Sequence, residues 1–362
     1  MPAQRIRRAA RRRATSLTRT ERHAMKTAEK SRPDTVKQNA DATVARQRAF
    51  QAQQDEQDQL KPAGEKGSKE EKAVQAGARE QPRTLARQHL QKPGVEADLA
   101  LAPRFQAPDY KGSGKLQDMV AIITGGDSGI GRAVAVLYAR EGADVAIVYL
   151  HSDEDAKETC RHVEAEGRRC LLLRGDVRDS AFCIDAVQKT VNAYGRLDVL
   201  VNNAAFQEHA ASIEDISDER LEETLQTNIG GYFHMARAAV PKMRAKACII
   251  NTGSVVGLKG SPRLLDYATT KGAIHAFTKS LAQNLISKNI RVNAVAPGPV
   301  WTPLNPADSQ AEQVEKFGQD TDMKRAAQPE ELSPAYVFLA SPVMSGYING
   351  IVLPVTGSVG AI

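Results

Sequence analysis

Met119-Val120-Ala121-Ile122-Ile123 runs into Thr124-Gly125-Gly126-Asp127-Ser128-Gly129-Ile130-Gly131, and an Ala/Val-rich stretch from Arg132 to Arg140 follows. The apolar run reads as a buried strand and the Ala/Val stretch as a helix, which puts the glycines in one strand-to-helix turn. Such a turn is a cradle for phosphate: without Cβ atoms the backbone approaches the anion closely, and the helix N-terminus is electropositive. Gly125, Gly129 and Gly131 are spaced more widely than the G-x-G-x-x-G fingerprint of dinucleotide-binding units, but the strand-turn-helix context is the same. Glycines that merely cap a tight turn are the bland alternative.

Outward from this turn, short apolar runs alternate with helical segments to the C-terminus. Strands are expected at 119–124, 144–149, 169–173, 197–201, 247–252, 290–295 and 350–354, with the longest helices at about 217–243 and 266–288. That alternation implies a parallel sheet covered on both faces. Right-handed crossovers make it a Rossmann-type, doubly wound α/β fold of seven strands, whose ligand crevice lies outside the carboxyl ends of the strands.

Two further groups sit at such ends. Tyr267 and Lys271 are four residues apart, so on a helix a phenol and an ammonium leave the same face. Ser254 follows the apolar run Ala247-Cys248-Ile249-Ile250. A phenol with an ordinary pKa near 10 is a poor base at neutral pH. A neighbouring ammonium favours the phenolate, and a depression of roughly two to three units corresponds to about 3 to 4 kcal/mol.

Together these residues resemble the short-chain dehydrogenase/reductase superfamily from about residue 112 onward. The landmarks stand in the family's order: Thr124 to Gly131, Asp176-Val177, Asn202-Asn203-Ala204-Ala205, Asn228, Ser254, Tyr267 with Lys271, and Pro297-Gly298. Gly112-Ser113-Gly114-Lys115-Leu116 and Gly125-Gly126-Asp127-Ser128 resemble more narrowly a bacterial subgroup of aldehyde, glucose or ribitol dehydrogenase-like enzymes with a long N-terminal extension.

The resemblance implies hydride transfer between a nicotinamide and a carbonyl or alcohol. It casts Tyr267 as general acid/base, Lys271 as its partner and a ligand of the nicotinamide ribose, and Ser254 as the support of the substrate oxygen. Asn228 would hold a water that relays protons. For the cofactor it implies Thr124, Gly125, Ser128, Gly129, Ile130 and Gly131 at the pyrophosphate. Asp176 and Val177 would meet the adenine, Asn203 and Ala204 the ribose, and Pro297, Gly298, Val300 and Thr302 the nicotinamide. Ala205 stands where the family commonly has glycine.

NAD selectivity uses a carboxylate at the end of the second strand. Here Tyr149, Leu150, His151 and Ser152 stand there, and Asp153 reads as the acid that opens the next helix. The absence of a carboxylate admits a 2'-phosphate, with His151 and Ser152 as donors, so NADP(H) is favoured over NAD(H). No arginine occupies the usual place. Trp301, the only tryptophan, is open between lining the substrate pocket and packing in the domain, and His209 between the pocket mouth and an exposed loop.

The 362 residues carry a formal charge of +6, concentrated in an N-terminal part poor in apolar residues. Residues 1–81 are expected to be a disordered polar tail, 82–115 an extended arm docked through Leu90, Val95, Leu99, Leu101 and Phe105, and 116–362 a single catalytic domain. Arg5, Arg7, Arg8, Arg11, Arg12 and Arg13 admit three readings: a start at Met25 rather than Met1, a nonspecific polyanion-binding arm, or a transit peptide. No aromatic residue interleaves them, which argues against a single-strand nucleic-acid platform. Without a secretory segment or a run long enough to span a bilayer, the expected location is the cytoplasm. Cys160, Cys170, Cys183 and Cys248 lack metal-type spacing and are expected as reduced packing cysteines, with no metal bound.

The leading expectation is thus an NAD(P)-dependent oxidoreductase for an aldehyde, ketone, sugar or polyol, assembled as a homotetramer by the family's habit. A 3-oxoacyl-carrier reductase is the alternative within the superfamily. A non-catalytic cofactor-binding scaffold with a polyanion-binding tail is the alternative outside it.

Overall fold

The strand pattern expected from the apolar runs is present in the computed structural model, which describes residues 72–359. The strands are β1 (Val120–Thr124), β2 (Asp144–Tyr149), β3 (Cys170–Arg174), β4 (Val199–Asn202), β5 (Cys248–Thr252), β6 (Arg291–Pro297) and β7 (Val352–Val355). They form one seven-stranded parallel sheet in the order β3-β2-β1-β4-β5-β6-β7. The chain reverses direction across the sheet between β1 and β4, and a crevice opens beyond the ends of those strands. β1, β2, β4, β5 and β6 are buried along their whole length, which is why they read as unbroken apolar runs rather than as alternation.

The described helices longer than two turns are α1 (Gly129–Arg140), α2 (Asp153–Ala165), α3 (Ser180–Tyr194), α4 (Asp218–Leu225), α5 (Gly231–Ala239), α6 (Leu265–Asn284) and α7 (Pro329–Ala340). α1, α2 and α7 close one face of the sheet, while α3, α5 and the end of α6 close the other. The helix expected over 217–243 is not regular throughout. A π-helical turn, Gln226–Gly230, joins α4 to α5, and Asn228 lies in it. Such bulges gather at functional sites because they re-aim a side chain.

Cys160 of α2 and Cys170 of β3 form a disulfide with Cα atoms 5.4 Å apart, which corrects the expectation that all four cysteines are reduced. The tight turn after α2 returns the chain antiparallel to the helix, so the two cysteines meet without any recognisable spacing motif. Cys183 and Cys248 are free and buried, as expected.

The arm docks, and earlier than residue 82. Val74 N donates to Met323 O at 2.9 Å, and Arg79 Nη2 pairs with Glu330 Oε2 at 2.6 Å. Leu85, Leu90 and Leu99 form a separate core with Trp301, Ala307, Val314 and Ala326. Trp301 is fully buried and its Nε1 donates to Leu101 O at 2.8 Å, so it packs under the arm rather than lining a pocket. Residues 1–71, with the arginine run and both candidate start methionines, lie outside the described residues, and no described helix is long and apolar enough to cross a membrane.

Candidate active site

Beyond the carboxyl ends of the strands lies a cavity of about 740 Å³. It is walled by the glycine-rich turn, the ends of β2 and β3, the loops after β4, β5 and β6, and α6. Gly125, Ser128, Gly129, Ile130, Tyr149, His151, Ser152, Asp176, Val177, Asn203, Ala204, Ala205, Ser254, Tyr267, Lys271, Pro297, Gly298, Val300 and Thr302 all line it. Three expected site residues do not. Thr124 is buried, and its Oγ1 accepts the Asn203 and Ala204 amides at 2.8 and 3.0 Å, tying the glycine turn to the loop after β4. A Cβ on Gly131 would come 1.9 Å from Gly125 O, so that glycine is required for the turn to close at all.

Asn228 is the third. Its Oδ1 accepts the Phe206 amide at 2.8 Å, and its Nδ2 donates to Phe206 O at 2.9 Å and Thr270 Oγ1 at 3.0 Å. Both amide hydrogens are therefore spent on structure, so the side chain has no donor left for a relayed water. It fastens the loop after β4 to α6, one residue before Lys271.

The reactive groups share one wall. Tyr267 and Ser254 both line the cavity, with the Ser254 side chain close enough to act on the phenol. Burial, with a smaller push from the Asp308 charge, raises the Tyr267 phenol above its ordinary value, while Ser254 works the other way. The direction is opposite to the expected depression, because desolvation outweighs what Ser254 contributes, and the phenol keeps its proton at neutral pH. Lys271 is buried, donates to Thr252 O at 2.8 Å and lies 5.3 Å from the Tyr267 ring centre. Burial lowers its pKa to about 7.

His275 is one turn beyond Lys271 on the same helix face, and its Nε2 accepts the Ser254 amide at 3.4 Å. Burial and the Lys271 charge, against the opposing pull of the Gly257 backbone, lower it to about 4, which leaves it neutral. The four-residue spacing of Tyr267, Lys271 and His275 was the signal that could have disclosed it.

At the other end, Asp176 is held below the usual carboxylate range: partial burial pushes it up, but hydrogen bonds from the Arg178 side chain and amide prevail. Arg178 also pairs with Glu223 and lines the cavity, a cation at this end that the sequence did not single out. His151 is exposed and Ser152 buried at the end of β2. Asp153 opens α2 as expected, and its carboxylate pairs with Arg174 at 3.0 Å. His209 is half-buried and outside the cavity lining, with Nδ1 2.9 Å from Asp308 Oδ1. Glu208, His209 and Asp308 cluster there, and Lys92 and Gln207 already bond two of them.

The cradle fits a dinucleotide. Beads of glycine hold the turn against the next loop, a Cβ on Gly125 meeting Ala204 Cα at 3.1 Å, and the Ile130 and Gly131 amides at the N-terminus of α1 can meet a phosphate.

Comparison with known proteins agrees with this geometry. Residues 125–359 match a family model described as Enoyl-(Acyl carrier protein) reductase. A short chain dehydrogenase from Burkholderia cenocepacia J2315, solved in complex with NADP, superposes with a TM-score of 0.64 at 31% identity, covering 67% of this chain and 98% of that one. The chain is a short-chain dehydrogenase/reductase. This short-chain dehydrogenase/reductase is 47% identical over 274 residues to the glucose and ribitol dehydrogenase of Daucus carota, covering 74% of this chain and 94% of the relative. It is also 47% identical over 277 residues to NADPH-dependent aldehyde reductase 1, chloroplastic, of Arabidopsis thaliana, covering 75% and 96%. It is therefore an NAD(P)-dependent oxidoreductase.

Proposed function

We propose that this enzyme interconverts a small carbonyl compound and its alcohol, an aldehyde, ketone, sugar or polyol, with Tyr267 as general acid/base and NADP(H) favoured over NAD(H). The observation that carries the reading is that Tyr267, Ser254 and Lys271 share one cavity wall, with the buried Lys271 ammonium 5.3 Å from the Tyr267 ring centre. When bound, the nicotinamide supplies or takes up the hydride. Tyr267, protonated at neutral pH, gives its hydroxyl proton to the substrate oxygen in reduction and recovers it from the alcohol in the reverse direction. The Ser254 hydroxyl steadies the same oxygen. Lys271, partly charged near pH 7, stabilises the phenolate left after transfer. Asn228 acts through the Phe206 loop that it holds.

The sugar, polyol or aldehyde class is supported by relatives named as a glucose and ribitol dehydrogenase and an aldehyde reductase. The NADP preference is supported by His151 and Ser152 in place of a carboxylate and by the NADP complex of the Burkholderia enzyme. The description of the matched family model supports a second reading, reduction of an acyl-carrier substrate. A homotetramer is part of the proposal, supported by apolar side chains left exposed on α4 and α5, Leu221, Leu225 and Phe233. So is a cytoplasmic location.

Measuring NADPH and NADH oxidation across small aldehydes, sugars and acyl thioesters tests the proposal. Turnover of aldehydes or sugars with NADPH supports it, and turnover of acyl thioesters alone overturns the substrate class.

A further inference from the structure

The arm does more than cover Trp301. Pro93 and Gly94 line the cavity itself, and two residues on, the Glu96 side chain turns inward and is buried. Its Oε2 accepts the Gly129 amide of the glycine-rich turn at 2.6 Å, and its Oε1 accepts Arg132 Nη1 at 2.6 Å. Arg132 in turn donates through Nε and Nη2 to Asp127 O at 3.1 and 2.8 Å, and Thr159 Oγ1 donates to the same carbonyl at 2.9 Å. The Asp127–Gly129 segment is therefore pinned at both ends, its carbonyl from α1 and α2 and its amide from the arm. Asp155 of α2 secures the arm, accepting the Glu96 and Ala97 amides at 2.8 and 3.2 Å.

Ordinarily the residue before a helix caps it with its own side chain. Ser128 stands in that place and makes no cap bond. Ser128 instead lines the cavity wall, while the arm's carboxylate takes the Gly129 amide from behind. Gly129 has φ of +51°, a conformation open to glycine, and a Cβ there would come 2.8 Å from Thr302 Cγ2. The charged groups that face Glu96 are Arg132 from α1, Asp155 from α2 and Asp127 from the turn.

We propose that Glu96 is a positioning residue for the dinucleotide: a carboxylate delivered by the N-terminal arm that fixes the glycine-rich turn in the shape that accepts the cofactor's phosphates. The proposal rests on the reading that this turn holds the pyrophosphate. It makes the arm and the cofactor site one coupled unit, so each stabilises the other by the same factor.

The test is NADPH affinity, followed by fluorescence titration of the full-length protein, with melting temperature measured on the same samples. Glu96→Ala is expected to weaken NADPH binding at least tenfold. Glu96→Gln, which still offers an oxygen to the Gly129 amide, is expected to recover to within about threefold of wild type, on the scale by which conservative hydrogen-bond replacements differ. Leu85→Ala, in the arm's own core and away from the turn, is expected to lower the melting temperature while weakening NADPH binding far less than Glu96→Ala does. Hydrogen exchange of the unaltered protein needs no variant to fold: adding NADPH should slow exchange in residues 94–98. Wild-type affinity in Glu96→Ala, an affinity loss in Leu85→Ala as large as that in Glu96→Ala, or no NADPH effect on arm exchange would each overturn the proposal. Gly131→Ala separates the two layers. Loss of NADPH binding there with normal binding in Glu96→Ala overturns the role of Glu96 alone, whereas normal binding in Gly131→Ala overturns the pyrophosphate reading and the proposal with it.

Discussion

Leu90 offers the sharpest test of the docked arm, because the sole tryptophan reports on the same cluster. Its side chain is 8% exposed and packs with Leu85, Leu99, Trp301, Ala307 and Val314. Leu→Ala in a closed core costs about 2 to 5 kcal/mol, the larger values where the surroundings cannot collapse. Here one wall is a strap of chain rather than a helix, able to settle inward, and the site is not fully sealed, so the lower half of that range applies: roughly 2 to 3 kcal/mol. At roughly 2 to 4 °C per kcal/mol for a domain of this size, the melting temperature should fall by about 4 to 12 °C. Calorimetry reads the shift and Trp301 emission reads the packing: blue-shifted in wild type, it should move to longer wavelength when residues 1–113 are deleted and stay unchanged when residues 1–71 are deleted. A Leu90→Ala shift below about 1 °C, or emission indifferent to the longer deletion, would refute the docking.

Cys160→Ser should lower the melting temperature without reductant by the roughly 2 to 3 kcal/mol that closing a loop of 10 residues is worth, and should have no effect in dithiothreitol, where both proteins are reduced. An equal shift in both conditions would mean that the cysteine contributes packing alone. Lys271 has its pKa lowered in the fold to about 7, so between that value and its ordinary 10.5 the unfolded chain holds the proton more tightly. Its contribution to stability therefore rises with pH through that window and is lost as pH falls to about 7. Relative to Lys271→Met, wild type should gain in melting temperature from pH 7 to pH 10, and a gap independent of pH would contradict the burial argument. Asn228→Ala should lower both stability and turnover by freeing the Phe206 loop, and unchanged turnover would show that this loop does not position the site.

Much of this architecture was legible because it is written locally. β1 and the glycine turn occupy a dozen consecutive residues, and each parallel strand is a short apolar run whose ends the sequence marks. The parts that were missed depend on distant partners. The π turn at Gln226–Gly230 has no Gly or Pro ahead of it; it is imposed by Asn228 reaching Phe206 and Thr270. Glu96 looks like any acid in a polar arm until Gly129 and Arg132 close around it. The Cys160–Cys170 pair follows from how α2 turns into β3, and Trp301 is resolved only by where the arm lies. The upward direction of the Tyr267 shift has the same origin, since burial is a property of the whole wall that the sequence does not display.

The central claim is that the Tyr267 hydroxyl carries the proton of the reaction. Tyr267→Phe removes that hydroxyl and leaves the ring in place, so single-turnover NADPH oxidation with the best aldehyde or sugar, measured beside NADPH affinity, isolates the proton. The account predicts unchanged affinity and a rate reduced at least about a hundredfold, the usual scale for loss of a general acid. A near-normal rate with an unchanged pH profile would contradict it.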